Sequence, residues 1–308
     1  MTIKSEIRKS YFLNKYVIIT PGRAKRPRDV QEETVVAKKG FCPFCPESVA
    51  EENIVDVINK KNSKDWQVLS IKNIFPAVSL DNKKAYGTQE VVVDSPIHDK
   101  ELASLSKEEI KDLLRMYIKR TKGLMLNKEL DYILCFKNQG SKAGASIAHA
   151  HSQIFATQII PADLKEEHEL SKEYQLKNKI CPYCDIIKKE SQSERNIFTD
   201  QHMTAFTPYA SRYHYEAWIF PLRHLDNITL LNEDELESLA VVLKKILVKL
   251  QGLGLSFNYY LHNVVSNDSQ HFYIKIQPRD SVWAGVELGS GLVINSISPE
   301  MAAEYYKS

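Results

Sequence analysis

No stretch of this chain offers the roughly 20 consecutive apolar residues that a membrane-spanning helix needs. The opening Met1-Thr2-Ile3-Lys4-Ser5-Glu6 lacks the apolar run of a secretory signal. An excess of one charge is missing as well. With 41 Lys and Arg against 39 Asp and Glu the formal net charge is +2, too small a field to argue for nucleic acid or an acidic membrane surface as partner. Cysteine is limited to five residues, and four of them form two Cys-Pro-x-Cys pairs. In a reducing compartment such pairs read as metal ligands before disulfides. The fifth, Cys135, stands in an apolar strand as packing. What is present in quantity, 43% hydrophobic and 26% charged residues over 308 positions, is the composition of a globular protein with one large core or two ordinary domains. The expectation is a cytoplasmic protein that binds neither membrane nor nucleic acid.

The most informative stretch is Asn138–Phe155. A strand, Tyr132-Ile-Leu-Cys-Phe136, runs into a polar loop holding Gly140, Gly144 and Ser146, and a second strand then carries His149, His151 and Gln153. Alternation places those three side chains on one face. Three large polar groups on one face make a poor core but suit a phosphate. Small loop residues let backbone N–H groups approach phosphate oxygens as an anion nest, and a neutral imidazole can attack phosphorus.

The chain also repeats itself. Cys42-Pro-Phe-Cys45 is mirrored by Cys181-Pro-Tyr-Cys184, and at one constant offset of 126 positions His98 falls on His224, Glu109 on Glu235, Leu113 on Leu239 and Leu124 on Leu250. The match runs without a gap through a strand end, a helix cap and a helical apolar stripe, which argues duplication. Two α+β units follow, each an antiparallel sheet with a packed helix, divided at 1–160 and 161–308. Each offers a Cys-x-x-Cys pair, a histidine at a strand end and a histidine opening the last strand. Those sets are Cys42, Cys45, His98 and His149, and Cys181, Cys184, His224 and His271. Two thiolates with two imidazoles suit closed, structural, tetrahedral zinc; two zinc ions are expected, with His214 or His262 as competitors for the place of His271. In the second unit Tyr273 replaces His151, Lys275 replaces Gln153, and the loop Val264–Gln270 lacks glycine, so one reactive centre is expected in the first unit only. Residues 165–179 read as a charged helix with His168 in solvent, and Pro299–Lys307 as a short last helix.

With Asn138, Gly140, Gly144, Ser146, His149, His151 and Gln153 in this order, the chain resembles the galactose-1-phosphate uridylyltransferase branch of the histidine-triad superfamily, which includes ADP-glucose phosphorylases. The resemblance implies tandem histidine-triad-like units, His151 as the residue that becomes nucleotidylated, His149 as a metal ligand, Gln153 as a donor to a phosphoryl oxygen, and Ser146 and the loop as further stabilisers. It implies that Arg23 and Arg26 lie near the substrate phosphates, that Asn73 and Phe75 form the nucleotide pocket, and that Glu287 binds sugar hydroxyls. Ile74 stands where uridylyltransferases often have Asp, and Val286 where they often have Tyr, which leaves base and sugar open. The function so implied is ping-pong nucleotidyl transfer between UDP-glucose and galactose 1-phosphate by a homodimer with shared sites. The alternative is an ADP-glucose phosphorylase with inorganic phosphate as acceptor. A third reading, from another class, is a zinc-ribbon nucleic-acid-binding protein; the 139 positions between the cysteine pairs and the lack of a basic, aromatic-studded patch speak against it.

Overall fold

The structure, a computed structural model, describes residues 5–21, 41–263 and 270–308. Arg23 and Arg26 and nearly all of the loop 264–270 lie outside the described residues.

The chain forms a ten-stranded, wholly antiparallel sheet whose order mirrors itself about its centre. The first half contributes β3 (Ile54–Asn59), β4 (Trp66–Lys72), β5 (Gly87–Val93), β6 (Tyr132–Gln139) and β7 (His151–Thr157). The second contributes β8 (Asn196–Thr199), β9 (Met203–Phe206), β10 (Ala217–Pro221), β11 (Phe257–His262) and β12 (Tyr273–Pro278). Their order is β3-β4-β5-β7-β6-β11-β12-β10-β9-β8, so the two repeats fuse along β6 and β11, where Asn138 pairs with Asn258 and Lys137 with Tyr259. Fusion satisfies the backbone of what would otherwise be two exposed sheet edges. A separate three-stranded sheet joins residues from both sides of the 160/161 division: β1 (Glu6–Lys9), β2 (Tyr16–Ile19) and β13 (Val293–Asn295), the last parallel to β2.

Helices α1 (Lys107–Leu124) and α4 (Glu233–Gly252) cover one face of the sheet. Each opens on a complete capping box, Ser106 with Glu109 and Asn232 with Glu235, the same offset of 126. Their apolar stripes pack together over both halves; Leu113, Leu114, Tyr117, Leu239, Leu243 and Leu247 are fully or almost fully buried with Val92, Ile154 and Ile274 of the sheet. Each such aliphatic side chain contributes about 1.5–3 kcal/mol on burial, so the core is one rather than two. Lys111 of α1 and Glu237 of α4, equivalent positions of the repeat, pair at 2.7 Å across the junction.

The other face differs between halves. In the first it carries the Gly-rich loop and a small cluster of Phe44, Leu69, Ile71, Val91 and Val93. Over the second lie α2 (Ala162–Asn178) and α3 (Pro182–Glu190), with Tyr183, Ile186 and Ile187 buried against Phe206, Phe220 and Tyr273. His168 in α2 is half-buried rather than solvated, because this helix lies along the sheet and not away from it. The chain closes with α5 (Gly285–Ser290) and α6 (Pro299–Lys307). Among the described residues no helix is long and apolar enough to cross a membrane.

Candidate active site and metal-binding groups

Strand β7 begins at His151, so His149 stands just before the strand rather than in it. Its ring is fully buried. Nε2–H donates to the Ser95 carbonyl at 2.7 Å, which turns Nδ1 toward Cys42 Sγ at 3.6 Å and Cys45 Sγ at 3.7 Å. His98 Nδ1 lies 3.4 Å from Cys45 Sγ. One donor atom from each of Cys42, Cys45, His98 and His149 falls within 4.8 Å of all the others. Thiolate and imidazole on one tetrahedral metal lie about 3.5 Å apart by their usual bond lengths, so these spacings fit a metal ion bound by all four groups. The hydrogen bond to Ser95 is the outer-shell contact that fixes a ligand's tautomer.

The second group contains Cys181, Cys184 and His224, with Cys184 Sγ 3.3 Å from His224 Nδ1. His271 is outside this set. Its ring packs at 5.1 Å from that of His224, much as His149 packs at 5.2 Å from His98, but Nδ1–H donates to the Phe272 carbonyl at 3.0 Å and Nε2 is buried without a partner. The competing histidines are engaged elsewhere. His214 bonds Asp280 at 2.6 Å and Ser296 at 2.9 Å, and His262 stacks on Tyr273 with ring centroids 4.0 Å apart. Both Cys/His groups can hold a metal ion.

Two residues beyond His149, the ring of His151 donates Nδ1–H to the His149 carbonyl at 2.8 Å. That bond fixes the tautomer and leaves the Nε2 lone pair unprotonated. Burial holds the ring below the ordinary imidazole range, so it is neutral at neutral pH. Phe44, between the two cysteines, lies over it with centroids 4.9 Å apart. Gln153 accepts Gln89 Nε2–H at 2.8 Å on its Oε1, which leaves its own amide N–H groups as donors. Gln89 was not foreseen; a lone glutamine in the otherwise apolar face of β5, with Val91 and Val93, is the signal that marks it.

Gly140 has φ +83° and Gly144 φ +85°. A Cβ on Gly140 would stand 2.3 Å from Ser256 Oγ, whereas at Gly144 only the backbone conformation requires glycine. The loop is less open as an anion nest than expected, because the N–H groups of Ala143, Gly144 and Ala145 bond to carbonyls of Ser141 and Gly140 in a tight turn. Ser146 is exposed. Asn258 of the second half holds the loop, donating to Asn138 Oδ1 and to the Ala143 carbonyl, both at 2.8 Å.

Beneath β7 is a buried polar chain that sequence reading missed. Lys137 Nζ donates to Asp94 Oδ2 at 2.7 Å and to the His151 carbonyl at 2.8 Å. Ser152 donates to Asp94 Oδ1 at 2.6 Å, and Tyr117 to Ser152 at 2.7 Å. A lysine among Cys135, Phe136 and the strand's other apolar residues was its only sequence trace.

Asn73 and Phe75 sit on the loop after β4, where the Asn73 side chain accepts the Phe75 N–H at 2.9 Å and the Phe75 ring is 87% exposed. Glu287 lies on α5 and accepts the Ala284 N–H at 2.9 Å.

A mirrored antiparallel sheet, a neutral histidine held to a backbone carbonyl beside a Gly-rich loop, and paired Cys/His groups together define the transferase branch of the histidine-triad superfamily. The family model for the N-terminal domain of galactose-1-phosphate uridyl transferase matches residues 1–161, and the chain belongs to that family. A model of a domain of unknown function also matches residues 84–305. The chain is 30% identical to an ADP-glucose phosphorylase of Arabidopsis thaliana, over 97% of this chain and 91% of that one. It is 28% identical to a galactose-1-phosphate uridylyltransferase of Thermotoga maritima, over 97% and 96%. The crystal structure of an Arabidopsis thaliana ADP-glucose phosphorylase with bound ADP-glucose superposes with a TM-score of 0.87 at 28% identity, covering 99% of both chains.

Proposed function

We propose that this protein is a nucleotidyltransferase that exchanges the uridylyl group between UDP-glucose and galactose 1-phosphate through a nucleotidyl-His151 intermediate. The observation that carries the reading is the Nδ1–H bond from His151 to the His149 carbonyl, which leaves Nε2 as a neutral nucleophile. Nε2 attacks the α-phosphorus; an N–P bond forms, and the P–O bond to the sugar phosphate breaks with its electron pair leaving on that oxygen. Galactose 1-phosphate then attacks the same phosphorus, and the N–P electron pair returns to Nε2. The amide N–H of Gln153, with Ser146, would stabilise charge on the equatorial oxygens. Asn138, Gly140 and Gly144 shape the loop that would receive the phosphates, Arg23 and Arg26, outside the described residues, are candidates to bind them, and Asn73 and Phe75 would close on the base.

Zinc held by Cys42, Cys45, His98 and His149 would anchor the strand on which His151 stands; a second, at Cys181, Cys184 and His224, would do the same for the other half, with His271 as fourth ligand only if its ring turned from the Phe272 carbonyl. In the first set two thiolates and two imidazoles would close the coordination sphere, so the role there is structural. We read residues 1–160 as the catalytic unit and 161–308 as the supporting one. We read the protein as a homodimer with shared sites, in which Glu287 binds sugar hydroxyls. Reduced cysteine pairs fit the cytoplasm.

A second reading, ADP-glucose phosphorolysis, is favoured by Ile74 in place of aspartate and by the 30% identity to a phosphorylase. The test loads the protein with UDP-glucose or ADP-glucose and maps the adduct by mass spectrometry. One nucleotidyl group on the His151 peptide is expected. It should be lost in His151→Ala and retained in Tyr273→Phe; turnover by His151→Ala refutes the reading, and an adduct on residues 262–275 refutes a single centre. Exchange into galactose 1-phosphate against release by inorganic phosphate separates the two substrates.

A further inference from the structure

The half without a nucleophile reaches into the half that has one. In the seam between the repeats Asn258 of β11 pairs with Asn138 of β6, and Phe136 of β6 pairs with Gln153 of β7. Carried on by two residues, the second register sets Asn138 opposite His151. Residues directly opposite on antiparallel strands share a face. Asn258, Asn138, His151 and Gln153 therefore stand on one face, that of the Gly-rich loop, whereas their neighbours Tyr259, Lys137 and Ser152 are buried on the helix side.

A group that can only accept fixes the polarity of this row. A backbone carbonyl has no proton to give, so the atom that meets the Ala143 carbonyl at 2.8 Å is Asn258 Nδ2. The same nitrogen stands 2.8 Å from the Asn138 side chain. It carries two hydrogens, one for each neighbour. The Asn138 atom that faces it is then the oxygen, because two amide nitrogens would oppose donor to donor. Asn138 is left with Nδ2 and both its hydrogens, which make no hydrogen bond among the described residues. The loop is seated on the second half at a further point: Ser256 lies so close to Gly140 that a Cβ there would stand 2.3 Å from its Oγ.

The repeat makes the residue type informative. At the offset of 126 the first-half counterpart of Asn258 is Tyr132. The amide occurs where the strand faces the loop of Gly140 and Gly144; its counterpart on the nucleophile's own half is aromatic.

We propose that Asn258 is a positioning residue for nucleotidyl transfer: by donating to the Ala143 carbonyl and to Asn138 Oδ1, it presents Asn138 Nδ2 as a donor to a phosphoryl oxygen of the nucleotide sugar. The proposal rests on the reading of His151 as nucleophile. Asn138 touches the substrate and Asn258 acts through it, so the second half takes part in the reaction without making or breaking a bond.

The test is single-turnover formation of the nucleotidyl adduct at saturating UDP-glucose or ADP-glucose. It compares the native chain with Asn258→Ala, Asn138→Ala and the double variant, and urea unfolding establishes that each is folded under the assay conditions. Asn258→Ala should lower the limiting rate about ten- to a hundredfold, the worth of a hydrogen bond to a charged group. Because both residues act through one donor, the double variant should react within about threefold of the slower single variant. Asn258→Asp keeps the size of the side chain but offers only acceptors, so it should be no faster than Asn258→Ala; a loss due to packing alone would be repaired by it. It also carries the test if the alanine variant does not fold. A native rate in either Asn258 variant, or losses that multiply in the double variant, overturns the proposal. The two readings fail separately: no adduct in the native chain with either nucleotide sugar refutes transfer through His151, whereas a native adduct that forms equally fast in Asn258→Ala refutes only the role of Asn258.

Discussion

Replacing Lys137 by methionine would remove a buried ammonium and keep the length of its side chain. Lys137 and Asp94 are 1% and 0% exposed as side chains, and Nζ spans the Asp94 carboxylate and the His151 carbonyl at 2.7 and 2.8 Å. Without the lysine, Asp94 keeps the Ser152 hydroxyl but remains a buried carboxylate with no countercharge. Breaking such a pair from one side costs about 3–5 kcal/mol. Asp94→Asn in the same background removes the stranded charge, so the double variant should recover roughly 1–3 kcal/mol of the loss. Urea unfolding of the four proteins of this cycle reads the coupling. A second readout is chemical. The His151 carbonyl loses its clamp at the first residue of β7, and a displacement near 1 Å slows a positioned attack by about a hundredfold. Quenched-flow formation of the nucleotidyl adduct should therefore slow in Lys137→Met and partly recover in Lys137→Arg. The reasoning fails if Lys137→Met unfolds within about 1 kcal/mol of the native chain, below the range for a broken buried pair, or if its cost is the same with Asn at position 94.

Gln89→Ala should leave stability within about 1 kcal/mol, one net hydrogen bond, yet lower the rate of adduct formation, because Gln153 loses the bond that directs its amide; an unchanged rate removes Gln89 from the site. Gly140→Ala should destabilise more than Gly144→Ala in thermal unfolding, since both strain the backbone by about 1–2 kcal/mol but only the first drives a Cβ to 2.3 Å from Ser256 Oγ. Burial pushes the Glu300 carboxyl up, but hydrogen bonds from Arg8 and Arg195 outweigh it and hold the group below the usual carboxylate range. The stability it contributes is present above the unfolded value near ~4.3 and is lost as pH falls through the depressed folded value, so a melting-temperature profile should drop below about pH 4 less steeply in Glu300→Gln. Cys42→Ser should reduce metal content and thermal stability together, as should a strong chelator; metal analysis with equal content in both proteins would contradict it.

Local pattern determined much of this protein. The capping boxes at Ser106 and Asn232, the stripe of α1 and the offset of 126 needed no tertiary information, because caps and helical spacing are read within a few turns of chain. The grouping of Cys42 and Cys45 with His98 and His149 was legible for a related reason: a cysteine pair in each repeat, with histidines at matching places, restricts the partners to one set. What the sequence could not reveal was decided by which face of the sheet each element covers. That choice fused the repeats into one sheet across β6 and β11, laid α2 over the second half so that His168 turned inward, and moved His271 out of the second Cys/His group. It also joined residues far apart in the chain, Gln89 with Gln153, Asn258 with Asn138, Lys137 with Asp94, none of which shares a periodicity. Alternation assigns a side chain to a face of its own strand; only the packed structure decides which partner on a neighbouring strand, or under which helix, satisfies its charge.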